Sequence, residues 1–274
     1  MLTNTRSERV ASVRRLSGRP ARQRSGTFLA EGPQAVREAL PAAAVRDLYL
    51  TQDAADRHPD LLVAARAVGV EPRWCSPDVL LAMAGTVSPQ GVLAVCSLVG
   101  RPLARVLERG PRLVAVLAHV RDPGNAGTVL RAADAAGADA VVLTDASVDV
   151  HNPKCVRATA GSLFHVDVVT GVTLDEAVAA LRRAGLAVLA ADGAGDVDLD
   201  DLLDRAEQGT GPLVGGVAWV FGNEAWGLSG DERALADAVV RVPVHGRAES
   251  LNLATAATVC LYAAARSQRR AGRS

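Results

Sequence analysis

From Arg112 onward the chain alternates short apolar runs with segments of helical periodicity, and this alternation restricts the fold more than any other feature. The runs are RLVAVLAHV, DAVVLTD, LFHVDVV, LAVLAAD, AWVFGN and VVRVPV. Repeated strand and helix units predict an α/β domain whose parallel sheet is covered on both faces, because the crossover helices must lie over it. Sheets of this kind bind ligands beyond the carboxyl ends of their strands, so the loops after these runs are where chemistry is expected. Ahead of them, TFLAEG, VRDLYLT, VEPRWC and GVLAVCSL alternate with PQAVREAL and PDLLVAARAVG, which predicts a smaller α/β unit. The segment GRPLARVLERGP reads as a connector. The expected organisation is an arm over 1–25, a small domain over 26–104 and a larger one over 105–274, and two domains suit a chain of 274 residues.

Several chemistries lose support. The G-x-G at Gly193 to Gly195 has Asp198 where a dinucleotide fingerprint needs its third glycine. The only lysine, Lys154, follows Pro153, so there is no P-loop. The five histidines show no zinc spacing, and no metal is expected. Cys75, Cys96, Cys155 and Cys260 form no C-x-x-C pair, and the N-terminus lacks the apolar stretch of a signal peptide, so a reduced, cytoplasmic setting is expected. No apolar run reaches the roughly 20 residues of a membrane span.

A formal net charge of +0 speaks against a nucleic-acid partner until its distribution is considered. Arg6, Arg9, Arg14, Arg15, Arg19, Arg22 and Arg24 face only Glu8 in the opening segment, and Arg266, Arg269, Arg270 and Arg273 end a tail without acids. These are either solvated ends or phosphate-binding segments.

Three loops concentrate polar residues. In RDPGNAGTVLRAADAAGA, Pro123 and Gly124 suit a turn and a helix runs through Arg131. Asn125, six positions earlier, is either a helix cap or a partner of that arginine at one site. In VFGNEAWGLS, Gly222 and Gly227 bracket Asn223 and Glu224, with Trp226 as an apolar wall; the plainer alternative is a strand-to-helix turn capped by Ser229. In RVPVHGRAESLNLATAATVCLYAAA, Glu249, Ser250 and Asn252 precede an alanine-rich helix, where Ser250 is a candidate cap. Asp145 and Asp192 also end strands and read as solvated carboxylates.

These three loops, in this order, resemble the motifs of the SpoU family of RNA ribose methyltransferases, within the knotted SPOUT superfamily. The resemblance covers nearly the whole chain: CVRATAGSLFHVDV matches the family pattern, and FLAEGPQAVREAL is similar to the start of its small ribosomal-protein-like substrate-binding domain. Among members, the ribosomal RNA enzymes, including thiostrepton-resistance types, are the most similar.

The resemblance implies a C-terminal domain with a deep trefoil knot, a homodimer, and transfer of a methyl group from S-adenosyl-L-methionine to a ribose 2′-hydroxyl of structured RNA, expected to be 23S ribosomal RNA. Arg131 matches the arginine that acts on the hydroxyl, with Asn125, Glu224, Ser250 and Asn252 completing the catalytic set. Gly222, Asn223, Val242, Leu251 and Asn252 match positions that hold the cofactor, largely through backbone groups. Arg6, Arg9, Arg14, Arg15, Arg22 and Arg24 are the expected RNA contacts. Because arginine normally keeps its proton, stabilising a developing alkoxide is the milder alternative to general-base action. A tRNA ribose methyltransferase, a base-methylating relative, or an RNA-binding factor without catalysis are the rival readings. Leu251, Leu253, Val259 and Leu261 are the expected apolar contribution of the last helix to a dimer.

Overall fold

The computed structural model describes residues 1–272, so Arg273 lies outside the described residues. The chain forms two compact units, one of residues 1–99 with 149–165 and one of residues 100–148 with 166–274.

The first unit is built on a mixed four-stranded sheet of β1 (Thr27–Glu31), β2 (Val45–Leu50), β3 (Pro72–Trp74) and β4 (Val92–Ser97), in the order β1-β4-β2-β3. Only β2 and β3 are parallel. The opening residues are part of this unit rather than an arm outside it. They form helices over Glu8–Arg15 and Arg19–Ser25. Val10, Val13 and Leu16 pack with Leu29, Tyr49, Leu80 and Leu93, and the Leu2 amide donates to the Trp74 carbonyl. The apolar spacing of Val10, Val13 and Leu16 is a helical stripe that the surrounding arginines mask in a charge count.

Residues 149–165 also belong to the first unit, although they fall inside the larger domain expected from sequence. Phe28 of β1 sits 4.8 Å from the His151 ring and 6.1 Å from that of Phe164. The buried Glu31 carboxylate accepts from Arg157 at 3.1 Å. These contacts explain why the segment folds with the first unit.

Arg22, expected to touch RNA, is instead only 2% exposed. It donates to the Asp149 carboxylate at 2.6 and 3.1 Å and to the Leu16 and Ser17 carbonyls. Arg6, Arg9, Arg14, Arg15 and Arg24 are exposed, with Arg9 3.7 Å from Asp47.

The second unit carries a seven-stranded sheet of β5 (Leu113–Leu117), β6 (Ala140–Thr144), β7 (Asp167–Val172), β8 (Ala187–Ala191), β9 (Val197–Asp198), β10 (Val217–Phe221) and β11 (Ala238–Arg241). Every pairing is parallel, in the order β7-β6-β5-β10-β8-β11-β9. The central strands are buried throughout, as a sheet covered on both faces requires. The two-residue β9 is too short to leave a periodic signal in the sequence. Strand order reverses around β5, where β10 enters between β5 and β8, so their carboxyl ends open a crevice. The chain ends in the helix Leu253–Ala271, packed on the helix Pro123–Ala136. Two of its basic residues, Arg266 and Arg270, are paired with Glu207.

Burial pushes the Asp149 carboxyl up, but hydrogen bonds from His151 and Arg22 prevail and hold it well below the usual carboxylate range. A carboxyl lowered in the folded state contributes stability above its unfolded value, and that contribution is lost as pH falls toward the folded one. Arg22→Ala should therefore destabilise the first unit by on the order of 3 kcal/mol at pH 7, by stranding a mostly buried carboxylate. In urea unfolding, the gap between variant and parent should narrow as pH drops below about 4.

Candidate active site

Three loops meet at the crevice. After β5, His119 takes the left-handed backbone conformation, with φ of 56°. Its amide donates to Thr144 Oγ1 at 3.1 Å, its carbonyl accepts from Asn223 Nδ2 at 2.7 Å, and its Nε2 lies 2.7 Å from Glu232 Oε1. Burial raises the Glu232 carboxyl, but hydrogen bonds from Ser229 together with His119 hold it below its ordinary value.

The helix Pro123–Ala136 starts earlier than the sequence suggests, because Asp122 rather than Asn125 is its cap and accepts from the Asn125 amide at 2.8 Å. Asn125 is thus in the first helical turn. Arg131, six residues on, lies about 9 Å further along the axis and about 120° around it. The two therefore diverge rather than converge on one point.

After β10, Asn223 and Gly227 exchange backbone hydrogen bonds at 3.0 and 2.9 Å and close a tight turn. Gly222 is required by this turn itself, because a Cβ there would sit 2.4 Å from the Gly227 carbonyl carbon. Asn223 is buried, and its Oδ1 accepts from the Ala225 amide. Glu224 reaches back to the first loop. Its carboxylate accepts from the amides of Arg121 (3.3 Å) and Asp122 (3.1 Å) and from Asn125 Nδ2 (3.2 Å). Ser229 caps the following short helix in a capping box with Glu232, as the plainer alternative has it.

The third loop joins through Asn252, whose Nδ2 donates to Asn125 Oδ1 at 3.2 Å. Its Oδ1 accepts from the Ala254 and Thr255 amides, so Asn252 and not Ser250 caps the last helix. The structure therefore gathers Asn125, Asn223, Glu224 and Asn252 into one network. The Arg131 side chain is exposed and makes no hydrogen bond or ion pair with the described residues.

Beside the network lies a cleft of about 700 Å³, within the range of small-molecule sites. Gly222, Asn223, Glu224, Val242, Ser250 and Leu251 line it, while Asn125, Arg131 and Asn252 do not. Asp192 and Arg233, absent from the residues expected of the site, line it as well. Asp192 is not the solvated carboxylate expected from sequence: its side chain is 13% exposed, accepts from the Ala194 amide and sits 3.6 Å from Arg233. The signal that points to it is its position at the end of β8, beside the strand-order reversal. Carboxylates of Asp192, Glu224 and Glu249 next to the apolar Phe221, Val242, Pro243 and Leu251 suit a cationic sulfonium carrying an adenine, and S-adenosyl-L-methionine fits this donor set. Among the described residues no group of three or more His, Cys, Asp or Glu is placed to hold a metal ion.

A model of the SpoU rRNA Methylase family matches residues 112–262, and a model of the MRM3-like substrate binding domain matches residues 7–94. The chain is 33% identical over 261 residues to the 23S rRNA (guanosine(2553)-2'-O)-methyltransferase RlmP of Bacillus subtilis, across 95% of this chain and 97% of that protein. It is also 33% identical to the 23S rRNA (uridine(2479)-2'-O)-methyltransferase of Streptomyces viridochromogenes, over 99% and 98% of the two chains. Among solved structures, the AdoMet-bound rRNA methyltransferase from Sinorhizobium meliloti superposes with a TM-score of 0.82 at 30% identity, covering 97% of each chain. The SpoU methyltransferase AviRb from Streptomyces viridochromogenes, in complex with AdoMet, gives 0.81 at 32% identity over 96% of this chain and 99% of that one. With the family match spanning more than half of its length and full-length relatives on both sides, the chain belongs to the SpoU rRNA methylase family.

Proposed function

We propose that this protein transfers the methyl group of S-adenosyl-L-methionine to a ribose 2′-hydroxyl of structured RNA, with 23S ribosomal RNA as the substrate class and the cytoplasm as its setting. The observation that carries the reading is the network joining Asn125 to Glu224 and Asn252, 99 and 127 positions away, at the mouth of a cleft suited to the donor. Both named relatives act on ribose 2′-oxygens of 23S rRNA.

The bound donor supplies a methyl group already activated by the positive sulfonium, so the protein's task is positioning and charge control. Gly222, Val242 and Leu251 hold it along the cleft, with Asn223 fixing the turn. Glu224 and Asn252 keep Asn125 in place at the rim. Arg131 stabilises the developing 2′-alkoxide as the hydroxyl proton passes to water, and Ser250 orients the ribose.

The exposed Arg131 side chain bonds to no member of the network in its own chain, which supports a homodimer in which it serves the partner's cleft. On the neighbouring last helix, Val259 and Tyr262 are 39% and 49% exposed, an apolar stripe suited to a two-fold contact. Leu251 is exposed as well, but Leu261 is wholly buried in its own unit and drops out of that contact. The deep trefoil knot belongs to the same reading: β10 between β5 and β8 is the strand order that supports it. Arg6, Arg9, Arg14, Arg15 and Arg24 give the first unit a basic surface for phosphates.

Arg131→Ala should lower kcat at least 100-fold while leaving the donor's Kd within about threefold, as expected for a group that stabilises charge only in the transition state. Mixing it with Gly222→Val, which is blocked at the donor turn, should restore methyl transfer, because a mixed dimer regains one complete site. Two inactive variants that stay inactive when mixed would place Arg131 in its own subunit's site. Changing Arg6, Arg14 and Arg15 together to Glu should weaken RNA binding and flatten its salt dependence by about one unit of slope for each phosphate that is no longer neutralised. An unchanged slope in filter binding would make them solvated residues only.

A further inference from the structure

The two loops tied together by Glu224 also present a side-chain pair that the mechanism does not use. Trp226 is 56% exposed at the rim of the cleft, whereas Trp219 is buried in the core. The Arg121 guanidinium lies over the Trp226 ring, 5.3 Å from its centroid. Arg121 is exposed and has no acidic partner among the described residues, so its charge is not neutralised. The pair is held from below, since the amides of Arg121 and Asp122 donate to the two oxygens of the same Glu224 carboxylate.

An exposed indole with a cation stacked on it offers an open π-face next to a positive charge. Nucleobases stack on aromatic rings whatever their sequence, and arginine takes the adjoining phosphate. An acidic peptide would use the charge but leave the open ring unpartnered. We infer that Trp226 and Arg121 form a stacking platform for one base of the RNA substrate beside the reacting ribose, with Trp226 carrying the base and Arg121 its phosphate. The inference rests on the function proposed above and assigns specificity-determining contacts for that same site.

The test uses the full chain, a short oligoribonucleotide of the target sequence, and an abasic oligonucleotide of equal length. The oligoribonucleotide should quench tryptophan fluorescence, the abasic one should not, and Trp226→Ala should remove the quench. Trp226→Ala should raise KM for RNA about tenfold with the donor's Kd unchanged, whereas Trp226→Phe, which keeps a ring, should stay within about threefold of the parent. Arg121→Ala should raise KM to a similar extent and flatten the salt dependence of binding by about one unit of slope. Equal quenching by the abasic strand overturns the inference. A weakened donor Kd at unchanged RNA KM also overturns it, by placing Trp226 on the donor's adenine; emission that follows protein concentration instead of RNA does so by placing it between two copies of the chain. Methyl transfer without base-dependent quenching defeats the platform alone, while quenching without transfer by the unaltered protein defeats the proposed function.

Discussion

Asn223 and Glu224, at the end of the central strand β10, hold the site together. The buried Asn223 amide bonds the His119 carbonyl, and the Glu224 carboxylate collects three N–H groups from residues 121–125. A buried donor deprived of its acceptor costs on the order of 1–3 kcal/mol, so the β10 turn cannot drift from the β5 loop without penalty. The parallel sheet makes this possible by placing β10 directly beside β5. Asn125 then passes the same constraint to Asn252 and the last helix.

His119 shows what this junction demands. A residue with a side chain in the left-handed region carries strain of about 1 kcal/mol or more, which persists only where its surroundings impose it. Here three groups of the same residue are engaged: the amide with Thr144, the carbonyl with Asn223 and the imidazole with Glu232. The backbone conformation is what lets the carbonyl meet Asn223 while the ring meets Glu232. The cleft is consequently framed by well-bonded turns, while Trp226 and Arg121 stand out from it toward solvent.

Much of this is legible in the sequence because strand periodicity and strand-end position are local signals. The apolar runs mark ten of the strands, and the loops after RLVAVLAHV, AWVFGN and VVRVPV are the ones that meet. Spacing along the chain cannot show which residue caps which helix. Asp122 and Asn252 do so in place of Asn125 and Ser250, because capping depends on where the first helical amides point. Nor can charge counting reveal that Arg22 is buried against Asp149, 127 positions away. The strand-end position of Asp192 is legible, but its burial is not, for the same reason: its neighbours, Arg233 among them, come from a different strand-to-helix connection. The separation of residues 149–165 into the first unit depends on long-range packing of Phe28 and Glu31, for which no local pattern exists.

The two units divide the work in the proposed reading, the first offering exposed arginines and the second a cleft with polar rim residues and an arginine free to act on a neighbouring chain. The most direct test is to incubate the protein with ribosomal RNA and S-adenosyl-L-methionine carrying an isotopically labelled methyl group, then digest the RNA to nucleosides for mass spectrometry. The account predicts label in a single 2′-O-methylated nucleoside, on the sugar fragment. Label on a base fragment, or none in RNA at all, would contradict it.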